Sequence, residues 1–164
     1  MIVRKNGEMV AQMRAQYESF VAPVVTVTIL LKHSTVICMK IKNAGHSSAK
    51  HLKLSIDKDF YQFGKLEKDK NIRNFPTFQR AIPSFSPGEE IFFMLSQGSN
   101  LGKLDEGREI TPLEFTVDVQ FEFGKQTFAH RHEIDLRVYM KTSQDKSEIL
   151  DEMEKIRKVL EKQA

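Results

Sequence analysis

Hydrophobic and polar residues alternate without a break from position 113 to position 123. The apolar members of this run are Leu113, Phe115, Val117, Val119, Phe121 and Phe123. Such alternation is typical of a strand with one buried and one wet face, because successive side chains point to opposite sides of a sheet. Stretches with the same period cover residues 25–31, 35–42, 49–56, 81–85, 90–96 and 126–139. The pattern therefore predicts six or seven antiparallel strands.

No helical pattern separates these strands, which favours an all-β, antiparallel, immunoglobulin-like β-sandwich. Residues 43–48 and the triplet Pro87-Gly88-Glu89 are rich in turn formers and mark two connections. Within the first of them, Gly45 is expected to adopt a positive φ angle.

The apolar spacing changes to three and four at both ends of the chain, which predicts two amphipathic helices. We place the first over residues 7–20, capped by Asn6, with Met9, Met13, Tyr17 and Phe20 near one face. The second covers residues 143–163, and its apolar stripe consists of Ile149, Met153, Ile156 and Leu160. A lone helix is marginal in water, so this stripe is expected to dock on its own sandwich or on another chain. Homo-oligomerisation through it is one of these two alternatives.

The expected organisation is therefore a helix and linker over residues 1–22, a sandwich over 23–140 and an amphipathic helix over 141–164. The longest nearly apolar run, residues 20–31, is shorter than the roughly twenty residues that a membrane span needs. The N-terminus also lacks a signal-peptide pattern. A single cysteine, Cys38, excludes an intramolecular disulfide and favours a reducing compartment such as the cytoplasm.

Charge narrows the choice of partner. Twenty-five basic and twenty-two acidic residues leave a net charge of only +3, and no block of like charges occurs. A nucleic-acid interface normally shows a clustered basic face, so nucleic acid is disfavoured and a protein partner is favoured.

The segment 57–80 has no clean period and holds five aromatic residues among many charges. They are Phe60, Tyr61, Phe63, Phe75 and Phe78. Two interpretations stay open. The rings plug one end of the sandwich, or they are exposed and bind a partner.

His130 and His132 are the most suggestive candidates for chemistry. On a strand they share a face and lie about 7 Å apart, so they would form a zinc site if a third ligand joined them. The alternative is a pair of polar residues on a half-exposed strand. The sequence contains no phosphate-binding loop, nucleophile elbow or zinc-protease motif, and we predict no cofactor.

Residues 41–54, with Asn43, Gly45 and Ala49 in a strand–turn–strand pattern, resemble immunoglobulin-like modules of the CARDB type. The whole chain is similar to the soluble part of bacterial membrane-anchored proteins, and residues 16–23 match their linker. This resemblance implies binding or spacing rather than catalysis. It also implies that an anchor upstream would make the protein membrane-associated.

Two functions follow as expectations. The first is a noncatalytic protein-interaction or scaffold module. The alternative is a metal-dependent hydrolytic enzyme with its site near His130 and His132.

Overall fold

The computed structural model describes residues 2–32 and 35–140. Its first element is the helix α1 (Ile2–Val21). The prediction of a helix here is confirmed, but its expected start is wrong, because Asn6 lies inside the helix and does not cap it. The helix instead begins at Ile2, five residues before the predicted start.

Nine strands follow in the described part of the chain. They are β1 (Val25–Lys32), β2 (Val36–Asn43), β3 (Ala49–Ile56), β4 (Ile82–Phe85), β5 (Glu90–Gln97), β6 (Leu104–Asp105), β7 (Arg108–Glu109), β8 (Glu114–Phe123) and β9 (Gln126–Asp135). Seven of them form two antiparallel sheets, one in the order β1-β2-β5 and the other in the order β4-β3-β8-β9. The remaining two, β6 and β7, form a small separate hairpin. The expected all-β, antiparallel class is confirmed.

Inner side chains of both sheets form one hydrophobic core. Met39 and Ile41 come from the three-stranded sheet, and Leu54, Val117 and Val119 come from the four-stranded sheet. The alternation of residues 113–123 has its expected consequence, since β8 buries every second side chain along most of its length. We call residues 22–140 the two-sheet body.

The segment 57–80 is ordered without strands. It contains three 3-10 turns, Gln62–Gly64, Lys68–Lys70 and Ile72–Asn74, and the short helix α2 (Pro76–Gln79). A further 3-10 turn, Gly98–Asn100, precedes the β6–β7 hairpin. These turns have no period of two, which is why the sequence pattern did not resolve them.

The last strand is shorter than predicted. We expected it to reach Tyr139, but β9 ends at Asp135 and Leu136–Tyr139 is a 3-10 turn. The Asp135 carboxylate accepts a hydrogen bond of 2.9 Å from the backbone N–H of Arg137, which caps the turn. Val138, expected to lie in the buried phase of the strand, is consequently exposed.

The predicted C-terminal helix, with Ile149, Met153, Ile156 and Leu160, lies outside the described residues. Among the helices that the structure describes, none is both long and apolar enough to cross a membrane.

Candidate functional site

An exposed apolar surface lies along α1. Five side chains form it, and each has between 55% and 73% of its surface exposed; they are Met9, Val10, Met13, Tyr17 and Phe20. We call these five residues the α1 face. Val10, Met13, Tyr17 and Phe20 are spaced by three, four and three positions, so they line one side of the helix. The sequence placed four of the five residues on this face and omitted Val10.

The base of α1 is fixed to the two-sheet body by the turn that follows β2. The backbone N–H of Ala44 donates to the carbonyl oxygen of Val24 at 2.7 Å, and that of His46 donates to Ala22 at 3.4 Å. The ring of Phe20 stacks on the ring of His46, with 5.3 Å between centroids. The helix therefore leaves the body from a defined point.

Asn43 organises this attachment from inside the protein. Its side chain is fully buried, and its Oδ1 atom accepts hydrogen bonds from the backbone N–H groups of Val24 (3.2 Å) and Gly45 (3.0 Å). Its Nδ2 atom donates to the carbonyl oxygens of Ser47 (2.8 Å) and Phe85 (2.9 Å). One amide thus makes hydrogen bonds to four backbone groups.

Gly45 is required at this turn for a reason other than the predicted one. Its φ angle is not positive, so that prediction is wrong. Instead, a Cβ atom at this position would lie 2.4 Å from the carbonyl oxygen of Ala22 and from the nitrogen of Val24. The chain before β1 crosses so closely that no side chain fits between the two segments. Ala49, which the resemblance also singled out, is fully buried.

The aromatic residues of 57–80 pack against the core. Phe60 is fully buried and meets Phe115 edge to face at 5.6 Å, so it is a core residue and not a partner-binding one. The rings of Phe75 and Phe78 lie 6.1 Å and 5.2 Å from that of Phe93, which is also buried.

Tyr61 and Phe63, the other two aromatic residues of this segment, are half-buried. None of the five rings is exposed, so the structure favours the interpretation that this segment plugs one end of the sandwich.

Asp59 holds the plug together. Its carboxylate accepts hydrogen bonds from the Asn71 side chain at 3.0 Å and from the Arg108 guanidinium at 2.6 Å. A guanidinium nitrogen of Arg73 lies 3.6 Å away. The hydrogen bond from Asn71 and the positive charges of Arg108 and Arg73 hold the pKa of Asp59 below its usual value, although partial burial opposes them. This cluster ties the turns of 57–80 to the β6–β7 hairpin.

His130 and His132 lie on β9, the edge strand of the larger sheet, opposite Val119 and Val117. His130 is exposed, with its ring 5.9 Å from that of Phe121. His132 is half-buried, and its Nε2 atom is buried without a hydrogen-bond partner. Burial, and then the nearby charge of His130, lower the pKa of His132. Within residues 2–32 and 35–140, no group of three His, Cys, Asp or Glu side chains is placed to hold a metal.

A second apolar surface, which was not predicted from the sequence, lies on the outer side of the three-stranded sheet. Phe92 and Met94 are exposed there on β5, and the Lys32 ammonium lies 4.2 Å from the centre of the Phe92 ring. The unbroken apolar run over residues 91–95 could have indicated this surface. A strand with one solvated face would instead alternate between apolar and polar residues.

Cys38 lies on the same outer side, between Leu30 and Met94 in register. Its thiol is almost fully buried, which raises its pKa. That environment disfavours the reactive thiolate.

Residues 2–140 match the family model described as Domain of unknown function (DUF8453), which covers α1 and both sheets. No curated protein and no solved structure matches the chain.

Proposed function

The chain belongs to the DUF8453 family of domains of unknown function, and we propose that it works as a noncatalytic protein-interaction module. In this proposal the two-sheet body is a rigid support, and the α1 face is the contact surface. The observation that carries the proposal is the exposure of all five apolar side chains of that face on one side of a single helix.

The energetics of an isolated helix support this role. A helix of 20 residues whose apolar side is exposed is only marginally stable in water. Covering a side chain such as Met13 or Phe20 would stabilise the helix by about 1.5–3 kcal/mol. The helix therefore gains most of its stability when a partner covers its apolar side.

The spacing of the α1 face favours a second apolar helix as the partner. Positions 10, 13, 17 and 20 repeat at three, four and three residues, the spacing with which two helices interlock side chains. Met9 and Met13 add flexible, polarisable side chains that adapt to an irregular partner surface.

A lipid surface fits the helix less well than a protein does. Helices that lie on membranes carry a polar side rich in lysine and arginine. The sequence of α1 instead contains charges of both signs, Glu8 and Glu18 as well as Arg4, Lys5 and Arg14. The net charge of the helix is therefore small.

The attachment of α1 also supports a presenting role. Asn43 and Gly45 hold the chain at residues 22–24 through buried hydrogen bonds and a close backbone approach. A contact surface whose base is held in this way loses less entropy on binding than one on a free tail.

We also propose the finer fold assignment, an immunoglobulin-like sandwich of the CARDB type. Its support is the set of seven antiparallel strands in two sheets that share one core, with the chain passing from one sheet to the other between β2 and β3 and between β4 and β5. Self-association through Ile149, Met153, Ile156 and Leu160, and an anchor upstream, stay predictions.

Site-specific photo-crosslinking tests the contact surface. A photoreactive residue replaces Met13 on the α1 face or, as a matched control, Glu8 on the polar side of the same helix, in the full chain expressed in its own cells. We expect one discrete adduct from position 13 and none from position 8, with the crosslinked peptide in an apolar helix of another protein. No adduct, equal adducts from both positions, or adducts with lipid would reject the proposal.

A second variant checks that the contact depends on the apolar side chains. Replacing Met13 and Tyr17 by Glu should abolish the adduct formed from a photoreactive residue at Val10. The thermal unfolding of the two-sheet body should not change. An adduct that persists in this variant would show that the α1 face is not the contact surface.

A further inference from the structure

The two main sheets have four edge strands, and three of them are blocked. β4 is four residues long and contains Pro83, which cannot donate a ladder hydrogen bond. β5 is covered by the first 3-10 turn, where the Gln62 side chain donates to the carbonyl oxygen of Met94. β9 carries charged residues in its centre, with Arg131 paired to Asp118. Short strands, proline, covering loops and charges are the usual means of preventing edge-to-edge pairing.

Among the residues that the structure describes, none of these features occurs at β1. Its eight residues pair with β2 in an unbroken register, and no charge occurs before Lys32 at its end. It contains no proline and no bulge. Within the part of the chain that the structure describes, nothing is paired to its outer edge. A long, regular, uncharged edge is a template for another strand.

The direction of the backbone N–H and C=O groups shows which residues of β1 can bond to another strand. The carbonyl oxygen of Val24 accepts from Ala44, so Val24 directs its hydrogen-bonding groups towards β2. Because these directions alternate along a strand, Val25, Val27, Ile29 and Leu31 direct theirs to the free edge.

The side chains of these residues add a second observation. Val27, Ile29 and Leu31 belong to the inward-facing row, yet each is only half-buried, whereas the neighbouring row on β2 is buried completely. The edge that lacks backbone partners is therefore also the side on which the core is incompletely covered.

We infer that β1 pairs antiparallel with β1 of a second copy of this chain. A two-fold axis at Thr28 would place Val27 opposite the partner's Ile29 and Val25 opposite the partner's Leu31. The groups that face the free edge would then exchange hydrogen bonds in pairs, and the half-buried side chains would cover one another.

The sequence of β1 suits its own copy. With the axis at Thr28, Lys32 lies opposite the partner's Val24, so no like charges meet. Thr28 lies opposite the partner's Thr28, which is a favourable cross-strand pair. This inference does not depend on the α1 face, so it stands or falls separately from the proposed function.

A charge-swap experiment on the full chain tests the pairing. Thr28 is exposed, and it is the residue that meets its own copy at the axis. Light scattering across a concentration series should give the wild type a mass that rises towards twice 18.9 kDa. Thr28→Lys and Thr28→Glu should each stay monomeric, because like charges face one another, and their equimolar mixture should form a dimer.

The control is Thr127→Lys, the same charge change at an exposed position of the other long edge strand, β9. It should leave the dimer intact. A monomeric wild type at every concentration, a dimer of Thr28→Lys alone, or a mixture that stays monomeric would overturn the inference.

Hydrogen exchange on the wild type provides a measurement that needs no variant. The amides of Val27 and Ile29 should become protected as the protein concentration rises, while that of Thr127 should not. Protection that is independent of concentration would also overturn the inference.

Discussion

The Asn43 side chain donates a hydrogen bond of 2.9 Å to the backbone carbonyl oxygen of Phe85. Asn43 is the last residue of β2 and Phe85 is the last residue of β4, so this contact joins the two sheets at one end of the core. The same side-chain amide accepts hydrogen bonds from the backbone N–H groups of Val24, which follows α1, and of Gly45, which lies in the turn after β2. One buried side chain therefore sets both the spacing of the sheets and the point at which the helix departs.

Replacing Asn43 by Ala should destabilise the protein by about 2–4 kcal/mol, because four backbone groups lose their partner inside the fold. Urea unfolding followed by circular dichroism measures this change. Asn74→Ala is the matched control, since Asn74 is exposed and its side chain donates a single hydrogen bond to Lys68. That variant should lose less than about 1 kcal/mol, and equal losses in the two variants would contradict the role of Asn43.

Gly45→Ala should lower stability by about 1–3 kcal/mol, because the new methyl group meets backbone atoms that cannot move aside. It should also increase proteolysis within α1, since the contact at Ala22 and Val24 holds the base of that helix. Gly98→Ala, where a Cβ atom would meet nothing within 4 Å, is the control and should be nearly neutral. A normal melting temperature for Gly45→Ala would show that the close approach is not required.

The alternation of apolar and polar residues predicted most of the fold. It located six of the seven strands of the two sheets within one residue, because a half-buried strand must alternate. The seventh, β9, ends four residues before its predicted end. The alternation failed where other interactions decide the backbone. The Asp135 carboxylate caps a turn and so ends β9 early. The Asn71 side chain organises turns that have no period, because it accepts hydrogen bonds from the backbone N–H groups of Phe60 and Arg73.

The candidate site was only partly predictable. The exposed row on α1 follows from its spacing, but spacing alone does not distinguish an exposed apolar face from a buried one. Phe60 looked like a possible contact residue and is in the core, since burial depends on how the loop folds back. Two of the four hydrogen bonds of Asn43, those with Val24 and Phe85, join segments 19 and 42 positions apart, so no local pattern predicts them.

Phe60→Ala and Met13→Ala should separate the core from the contact surface. Phe60 is fully buried against Phe115, so its truncation should cost about 3–5 kcal/mol of unfolding free energy. Met13 is exposed, and its truncation should change the same quantity by less than about 0.5 kcal/mol. Chemical denaturation measures both values. A large loss for Met13→Ala would mean that α1 packs on the body in solution.

The Asp59 cluster should contribute to stability in acid. The pKa of Asp59 is lower in the folded protein than in the unfolded chain, so its stabilising contribution is complete above about pH 4 and is lost as the pH falls through the folded value. Asp59→Asn should therefore lower stability at neutral pH and flatten its decline below about pH 4. Asp69→Asn, which alters an exposed carboxylate 3.5 Å from the ammonium of its neighbour Lys70, is the matched control. An identical decline in the two variants would contradict the role of Asp59.

His132 should make the fold sensitive to mild acid. Burial, and then the charge of His130, lower its pKa in the folded protein, so the unfolded chain binds a proton more readily than the folded one does. Stability should consequently be complete above about pH 7 and decline as the pH falls through about 6.5, the usual value for histidine.

His132→Phe removes both the proton site and the unpartnered Nε2 atom, and it suits a row that also contains Phe128 and Ile134. Urea midpoints at about pH 8 and about pH 5.5 should therefore converge in this variant. They should remain well separated in His130→Gln, because burial is the larger cause and is unaffected. A His132→Phe variant with the full wild-type dependence on pH would show that another group titrates.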